Sequence, residues 1–167
     1  MQKNAAYYIE KLGLNQHVEG GAFVETYRCA SKINQSQLPE TFHGDRNYGT
    51  AIYFLLEQGD FSAFHKIASD EIWHFYEGSP LHIYELDQTG KLNMHHLGRD
   101  LEKGESYQCV IQAGNWFASR CETENGFSLV GCTVAPGFDF EDFELANKES
   151  LTNEFPQHQE IIKELCR

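Results

Sequence analysis

Hydrophobic and polar residues alternate with a period of two through most of the chain, so strands dominate the predicted elements. The run Ala22-Phe23-Val24-Glu25-Thr26-Tyr27-Arg28 sets Phe23, Glu25 and Tyr27 on one face and Val24, Thr26 and Arg28 on the other. Residues 50–56 are apolar at most positions, as in a buried strand. Strands over 61–67 and 71–76 are joined by Ala68-Ser69-Asp70, and Gly78-Ser79-Pro80 marks a turn. Residues 81–86 and 92–97 form a predicted hairpin around Asp87-Gln88-Thr89-Gly90. Further strands are expected over 107–112, 116–121 and 127–134. The segment 138–145 alternates ring and acid and reads as an edge strand, rings on the body of the protein and acids outward.

Helices are expected only at the ends. Residues 4–12 carry an N-cap in Asn4, a left-handed stop in Gly13 and an apolar face of Tyr8, Ile9 and Leu12. Residues 156–165 begin with a proline in the first turn. Residues 31–47 are polar and predict a loop, and Gly20-Gly21 predicts a tight turn or bulge. About nine short strands with regular turn signals imply an all-β sandwich or closed barrel. The 12 Phe, 8 Tyr and 2 Trp favour a barrel whose interior holds side chains or a ligand. The 167 residues suit one domain, with its barrel over about 20–145.

Charge and cysteine usage narrow the function classes. A formal charge of −12 with no basic patch argues against nucleic acid. No apolar run approaches the ~18 residues of a membrane span, and no signal core follows Met1, so a cytoplasmic protein is expected. The five cysteines are widely spaced without a CxxC pair, which predicts reduced, buried thiols. No phosphate-binding loop, nucleophile elbow or HExxH pattern is present.

Candidate chemistry concentrates between Gly59 and Gly78. His65 and Glu71 share strand parity, so a continuous pleat brings an imidazole and a carboxylate into one interior. Such a pair is two-thirds of a facial metal site. Trp73, Phe75 and Phe117 share the inward parity, while Ile72, His74 and Tyr76 face outward; a bulge near Asp70 would exchange the two sets. Glu25 and Arg28 are candidates for the pocket mouth, and His95-His96 for the surface of the hairpin.

The spacing from Gly59 through His65 and Glu71 to Gly78 resembles the first cupin motif, G-x5-H-x-H-x3-E-x6-G, with Ile67 at the second histidine. The second cupin motif aligns on Gly114, with Gln112, Phe117 and Cys121 where proline, the last metal histidine and asparagine stand in the family. The segments 17–21, 25–28, 70–76 and 131–140 occur in order, and together resemble the small single-domain cupin family of uncharacterised function. That resemblance covers nearly the whole chain. It implies a double-stranded β-helix, or jelly roll, similar in fold to sugar-nucleotide epimerases and paired as a homodimer.

The expected function is binding of a small polar or carbohydrate-like molecule, with Glu25, Tyr27, Arg28, Trp73, His74, Phe75 and Phe117 as candidate contacts. One alternative is metal-free isomerisation or epimerisation. There His65, paired with Glu71, acts as base, and Tyr53 or Tyr27 as the opposing acid. Another is a metal-dependent oxygenase or isomerase using His65, Glu71 and a third ligand from Asp70, His74 or Gln112. With two of four cupin ligand positions apolar, no cofactor is the expectation and a divalent metal the alternative.

Overall fold

The computed structural model describes residues 3–121, 123 and 126–167. Helix α1 (Ala5–Leu12) starts where Asn4 accepts a hydrogen bond from the Tyr7 N–H at 3.0 Å, and it stops at left-handed Gly13. A cap of this kind contributes about 1 kcal/mol. Strands β1 (Asn15–Gln16), β2 (Ala22–Arg28), β3 (Lys32–Ile33), β4 (Arg46–Asn47), β5 (Thr50–Glu57), β6 (Phe61–Lys66) and β7 (Asp70–Gly78) follow. Then come β8 (Leu81–Leu86), β9 (Leu92–Leu97), β10 (Gln108–Ile111), β11 (Trp116–Cys121), β12 (Phe127–Ala135) and β13 (Glu144–Leu145). The chain ends with α2 (Lys148–Glu154) and α3 (Gln159–Leu165).

One sheet runs in the order β1-β2-β5-β12-β7-β10 and the other β13-β6-β11-β8-β9, with antiparallel pairing throughout. Alternate residues of the two sheets meet between them. Phe54, Leu56, Trp73, Phe75, Ile83, Phe117 and Val130 form the central core. Each such large side chain contributes roughly 1.5–3 kcal/mol on burial. Helices α2 and α3 cover the outer face of the second sheet over Phe64, Tyr84, Leu86 and Trp116. Helix α1 covers one end of the first sheet's outer face over Leu55 and Leu129. The result is the all-β jelly roll expected of the sequence, with short terminal helices.

Three local expectations are corrected. Residues 138–145 are not an edge strand: a 3-10 turn occupies Phe140–Asp142, and only Glu144–Leu145 pair with β6. One of the acids placed outward, Asp142, instead points in to meet buried Arg46, with contacts of 2.5 and 2.6 Å. The polar stretch 31–47 supplies that arginine and the short β3–β4 pair. The helical tail begins earlier than 156, because Asn147 caps α2 by accepting from the Ser150 N–H at 3.0 Å.

Strand β2 carries the most consequential irregularity. Glu25 pairs with Ile52 and Tyr27 with Ala51, so Thr26 is an extra, bulged residue. The bulge moves Tyr27 outward, where it is 54% exposed, and returns Arg28 to the face of Phe23 and Glu25.

Candidate functional site

The upper half of the barrel is hollow. A cavity of about 180 Å³ opens between the sheets, while the lower half is solid. Strand β5 shows the division: Thr50, Ile52 and Phe54 line the cavity, and Leu56, next on that face, lies in the packed half. Strand β7 does the same, with Glu71 and Trp73 at the cavity and Phe75 below it. Val134 and Cys132 of β12, Ile67 after β6, and Phe138, Asp139 and Phe140 complete the wall with Phe23.

His65 and Glu71 both face this cavity and both are buried. The imidazole's ion-pair partner, however, is Glu19 and not Glu71: His65 Nε2 lies 3.1 Å from Glu19 Oε2. Its Nδ1 sits 2.7 Å from the Ala63 carbonyl oxygen, which takes an N–H there. Glu71 acts on His65 through its charge and has the Cys132 thiol as its hydrogen-bonding neighbour.

Glu19 and His17 were not anticipated as site residues. They stand on the turn between β1 and β2, closed by the His17 N–H on the Gly21 carbonyl at 2.9 Å. The turn is fastened to β6 by the Ala63 N–H on the Glu19 carbonyl at 2.8 Å, and to Asp60 through the Gly21 N–H at 2.9 Å. Gly20 has φ 112°, and a Cβ there would collide with the Phe61 carbonyl. Gly21 has φ 72°, and a Cβ there would meet the Phe54 ring at 2.7 Å. The one signal available in the sequence was a histidine and a glutamate directly before a glycine pair, a place where backbone approaches closely.

Electrostatics follow from burial. Desolvation pushes Glu19 up to about 7, against the charge of His17 and a hydrogen bond from Ser62 Oγ at 2.9 Å. It also raises Glu71 to about 7, opposed by His65 and assisted by Glu19. Burial lowers His65 despite the Ala63 carbonyl and Glu71, and lowers His17 despite Glu19. The cluster therefore exchanges protons near neutrality without a permanent cation among its four members.

The remaining candidates divide. Glu25 and Arg28 line the cavity and hold each other at 2.7 and 3.0 Å, and Arg28 also reaches Asn47 Oδ1 and the Phe138 carbonyl. Phe117 is buried with its ring 4.0 Å from that of His65, forming a support behind the imidazole. Phe75 belongs to the solid core. Tyr53 and Tyr27 are on the outer face: Tyr53 packs edge-on against Tyr76 at 5.8 Å, and neither lines the cavity. Neither phenol is in place as the opposing acid. His74 also faces outward, with Thr133 Oγ1 at 3.1 Å and Gln108 Nε2 at 2.8 Å. On the hairpin, His95 turns to buried Glu85 at 2.8 Å, and His96 packs against His82.

A family model for the cupin superfamily (DUF985) matches residues 6–146. The chain belongs to the cupin superfamily. This cupin is 32% identical over 139 residues to the uncharacterized protein YML079W of Saccharomyces cerevisiae, covering 77% of this chain and 68% of that one. It superposes on protein SO0799 from Shewanella oneidensis with a TM-score of 0.90 and 40% identity, over 99% of both chains. A hypothetical protein from Leishmania major gives 0.88 at 31% identity, over 98% of this chain and 99% of that one. Oxalate decarboxylase from Bacillus subtilis shares the fold at a TM-score of 0.55 and 16% identity, over 90% of this chain and 36% of that one.

The cupin fold implies a metal held by histidines and a glutamate, and the residues here do not fit one. Ile67 and Phe117 are apolar at two of the four positions, and both ring nitrogens of His65 already face Ala63 and Glu19. Asp70 receives the Ala113 N–H at 2.8 Å, and neither Asp70, His74 nor Gln112 lines the cavity. Among the described residues no three His, Cys, Asp or Glu side chains are grouped as metal ligands.

Proposed function

We propose that this cupin binds a small polar, carbohydrate-like molecule in its barrel cavity. The observation that carries the reading is a buried polar cluster, His17, Glu19, His65 and Glu71, set in an aromatic-walled hollow. Aromatic walls with a few converging polar groups are the usual make-up of a small-molecule site. An apolar cavity of about 150 Å³ takes benzene, so about 180 Å³ suits one ring better than a nucleotide sugar. Thermal-shift screening of monosaccharides, nucleotide sugars and small acids tests this. A rise in melting temperature with single-ring ligands, abolished by Trp73→Ala, is expected. No shift with any of them would sink the reading.

A second reading is metal-free proton transfer, and the 3.1 Å contact between His65 and Glu19 favours it. His65 acts as the base, with Glu19 and Glu71, both raised to about 7, in place of a tyrosine as the acid. His65→Ala then abolishes solvent-deuterium exchange into a bound sugar, and unchanged exchange would exclude it. Two further proposals are environmental. Five free thiols suit a reducing compartment such as the cytoplasm. The exposed Ile72, Tyr76 and Val110 on the first sheet's outer face suit a homodimer contact.

A further inference from the structure

The cavity's charge is uneven in a way its neutral surroundings do not explain. Among the described residues lining it, the acids are Glu19, Glu25, Glu71 and Asp139, and the cationic side chain is Arg28. Arg28 is committed: Nε and Nη2 go to Glu25 at 3.0 and 2.7 Å, and Nη1 to Asn47 Oδ1 and the Phe138 carbonyl at 2.9 and 3.1 Å. Glu19 has imidazoles and a hydroxyl beside it, His17, His65 and Ser62, and no guanidinium or ammonium faces its carboxyl or that of Glu71 among the lining residues.

The groups facing these two carboxyls are His17 on the same turn, Ser62 and His65 from β6, Cys132 from β12 and Cys109 from β10. None of them is a fixed cation. A buried carboxylate without a cation keeps its proton, and burial indeed lifts both carboxyls to about 7. A cation entering the cavity would take the place of that proton.

The walls match the same guest. Phe54 and Trp73 meet at 83° with centroids 5.8 Å apart, Phe138 and Phe140 at 80° and 5.0 Å, and His17 and Phe23 at 86° and 4.6 Å. Rings standing at right angles around a hollow make a cage, the arrangement that holds alkylammonium ions through their electron-rich faces. The Trp73 indole N–H is buried and has no hydrogen-bond partner. Thr50, the neutral hydroxyl among the lining residues, already accepts from the Phe138 N–H at 3.0 Å. With Glu19 and Glu71 ionised the cavity offers many acceptors and few donors, which suits a donor-rich cation better than a neutral polyol.

We propose that the ligand of this cavity is a small organic ammonium ion no larger than one amino-sugar ring, held between Glu19 and Glu71 and enclosed by Phe23, Phe54, Trp73 and Phe140. This rests on the reading that the cavity is the binding site. It adds the charge of the ligand, which that reading left open.

The test is calorimetric titration and thermal shift with D-glucosamine, D-glucose and tetramethylammonium chloride at constant ionic strength. Glucosamine and tetramethylammonium should bind, with glucose weaker than glucosamine by about tenfold or more. Affinity for tetramethylammonium, whose charge is permanent, should rise as pH passes upward through about 7, because the carboxyls ionise there; glucosamine loses its own ammonium proton just above that range, and glucose changes little. Glu71→Gln, which keeps the shape, should remove the preference for glucosamine over glucose. Glucose binding as tightly as glucosamine, in the unaltered protein and at every pH, would overturn the ammonium ligand and leave the binding cavity standing. Absence of binding by all three would overturn both.

Discussion

His65 and Glu19, 46 positions apart in the chain, bring Nε2 and Oε2 within 3.1 Å of each other inside the barrel. Because Nδ1 faces the Ala63 carbonyl at 2.7 Å, its proton is there and the neutral ring leaves Nε2 unprotonated. The Glu19 carboxyl beside it, which burial raises to about 7, is hydrogen-bonded by Ser62 Oγ at 2.9 Å. Nitrogen NMR should show His65 as the Nδ1–H tautomer at neutral pH. Glu19→Leu, which leaves the buried Ser62 hydroxyl without its acceptor, should cost about 1–3 kcal/mol by urea denaturation, and Glu19→Gln less.

The raised Glu71 makes stability depend on pH with a definite sign. Its ordinary value is 4.5 and its folded value about 7. Between the two, the native state holds a proton the unfolded chain has lost. Its contribution is full below about 4.5 and is lost as pH rises through about 7. Glu71→Gln cannot ionise. The variant should gain stability relative to the parent as pH rises, by up to about 3 kcal/mol. His17 and His65, lowered by burial, have the opposite sign, and His65 loses the opposing charge of Glu71 in the variant. Denaturation of both proteins across that range measures it, and a constant difference would contradict it.

Arg46 holds the cavity wall from behind. It is buried, and grips Asp142 with two contacts and Glu141 with one at 3.3 Å, beside Phe140 and Phe143. Arg46→Ala leaves Asp142 buried without its cation, so a loss of about 3–5 kcal/mol is expected. Any ligand that binds the cavity should bind the variant more weakly, read by titration below its melting temperature.

Tyr53 separates the inner face from the outer one. Tyr53→Phe should leave ligand-induced thermal shifts unchanged, because the phenol packs against Tyr76 and not the cavity. A lost shift in Tyr53→Phe would place the ligand elsewhere.

The outer face makes its own prediction. Val110 and Ile72 are cross-strand partners, and both are exposed, at 47% and 36%. Light scattering should give twice the mass of one chain, and Val110→Asp should halve it. A monomer before substitution would refute the homodimer.

Much of the fold was legible because a period of two leaves a clear mark. The hairpin strands 81–86 and 92–97 and the strand 116–121 occur where the alternation ends in turn residues. The segment 138–145 misled for the same reason. Alternating rings and acids look like an edge strand, yet Asp142 is drawn inward by an arginine 96 positions away, and nothing local records that. Of the two tyrosines considered as acid, Tyr53 lies on the outer face with Tyr76, and Tyr27 is turned there by one bulged residue: Thr26 shifts Tyr27 out and Arg28 in, and a bulge has no parity signature of its own.

The sequence by itself determined the strands, the parity that sends His65, Glu71 and Trp73 inward, and the apolar residues Ile67 and Phe117 at two positions where a metal needs donors. These are properties of neighbours along one strand, governed by the pleat. Only the tertiary structure decided that Glu19 rather than Glu71 meets the imidazole. It also decided that the lower barrel is solid and the upper hollow. Those follow from which strands lie side by side and how far water is excluded, and distant segments settle both together.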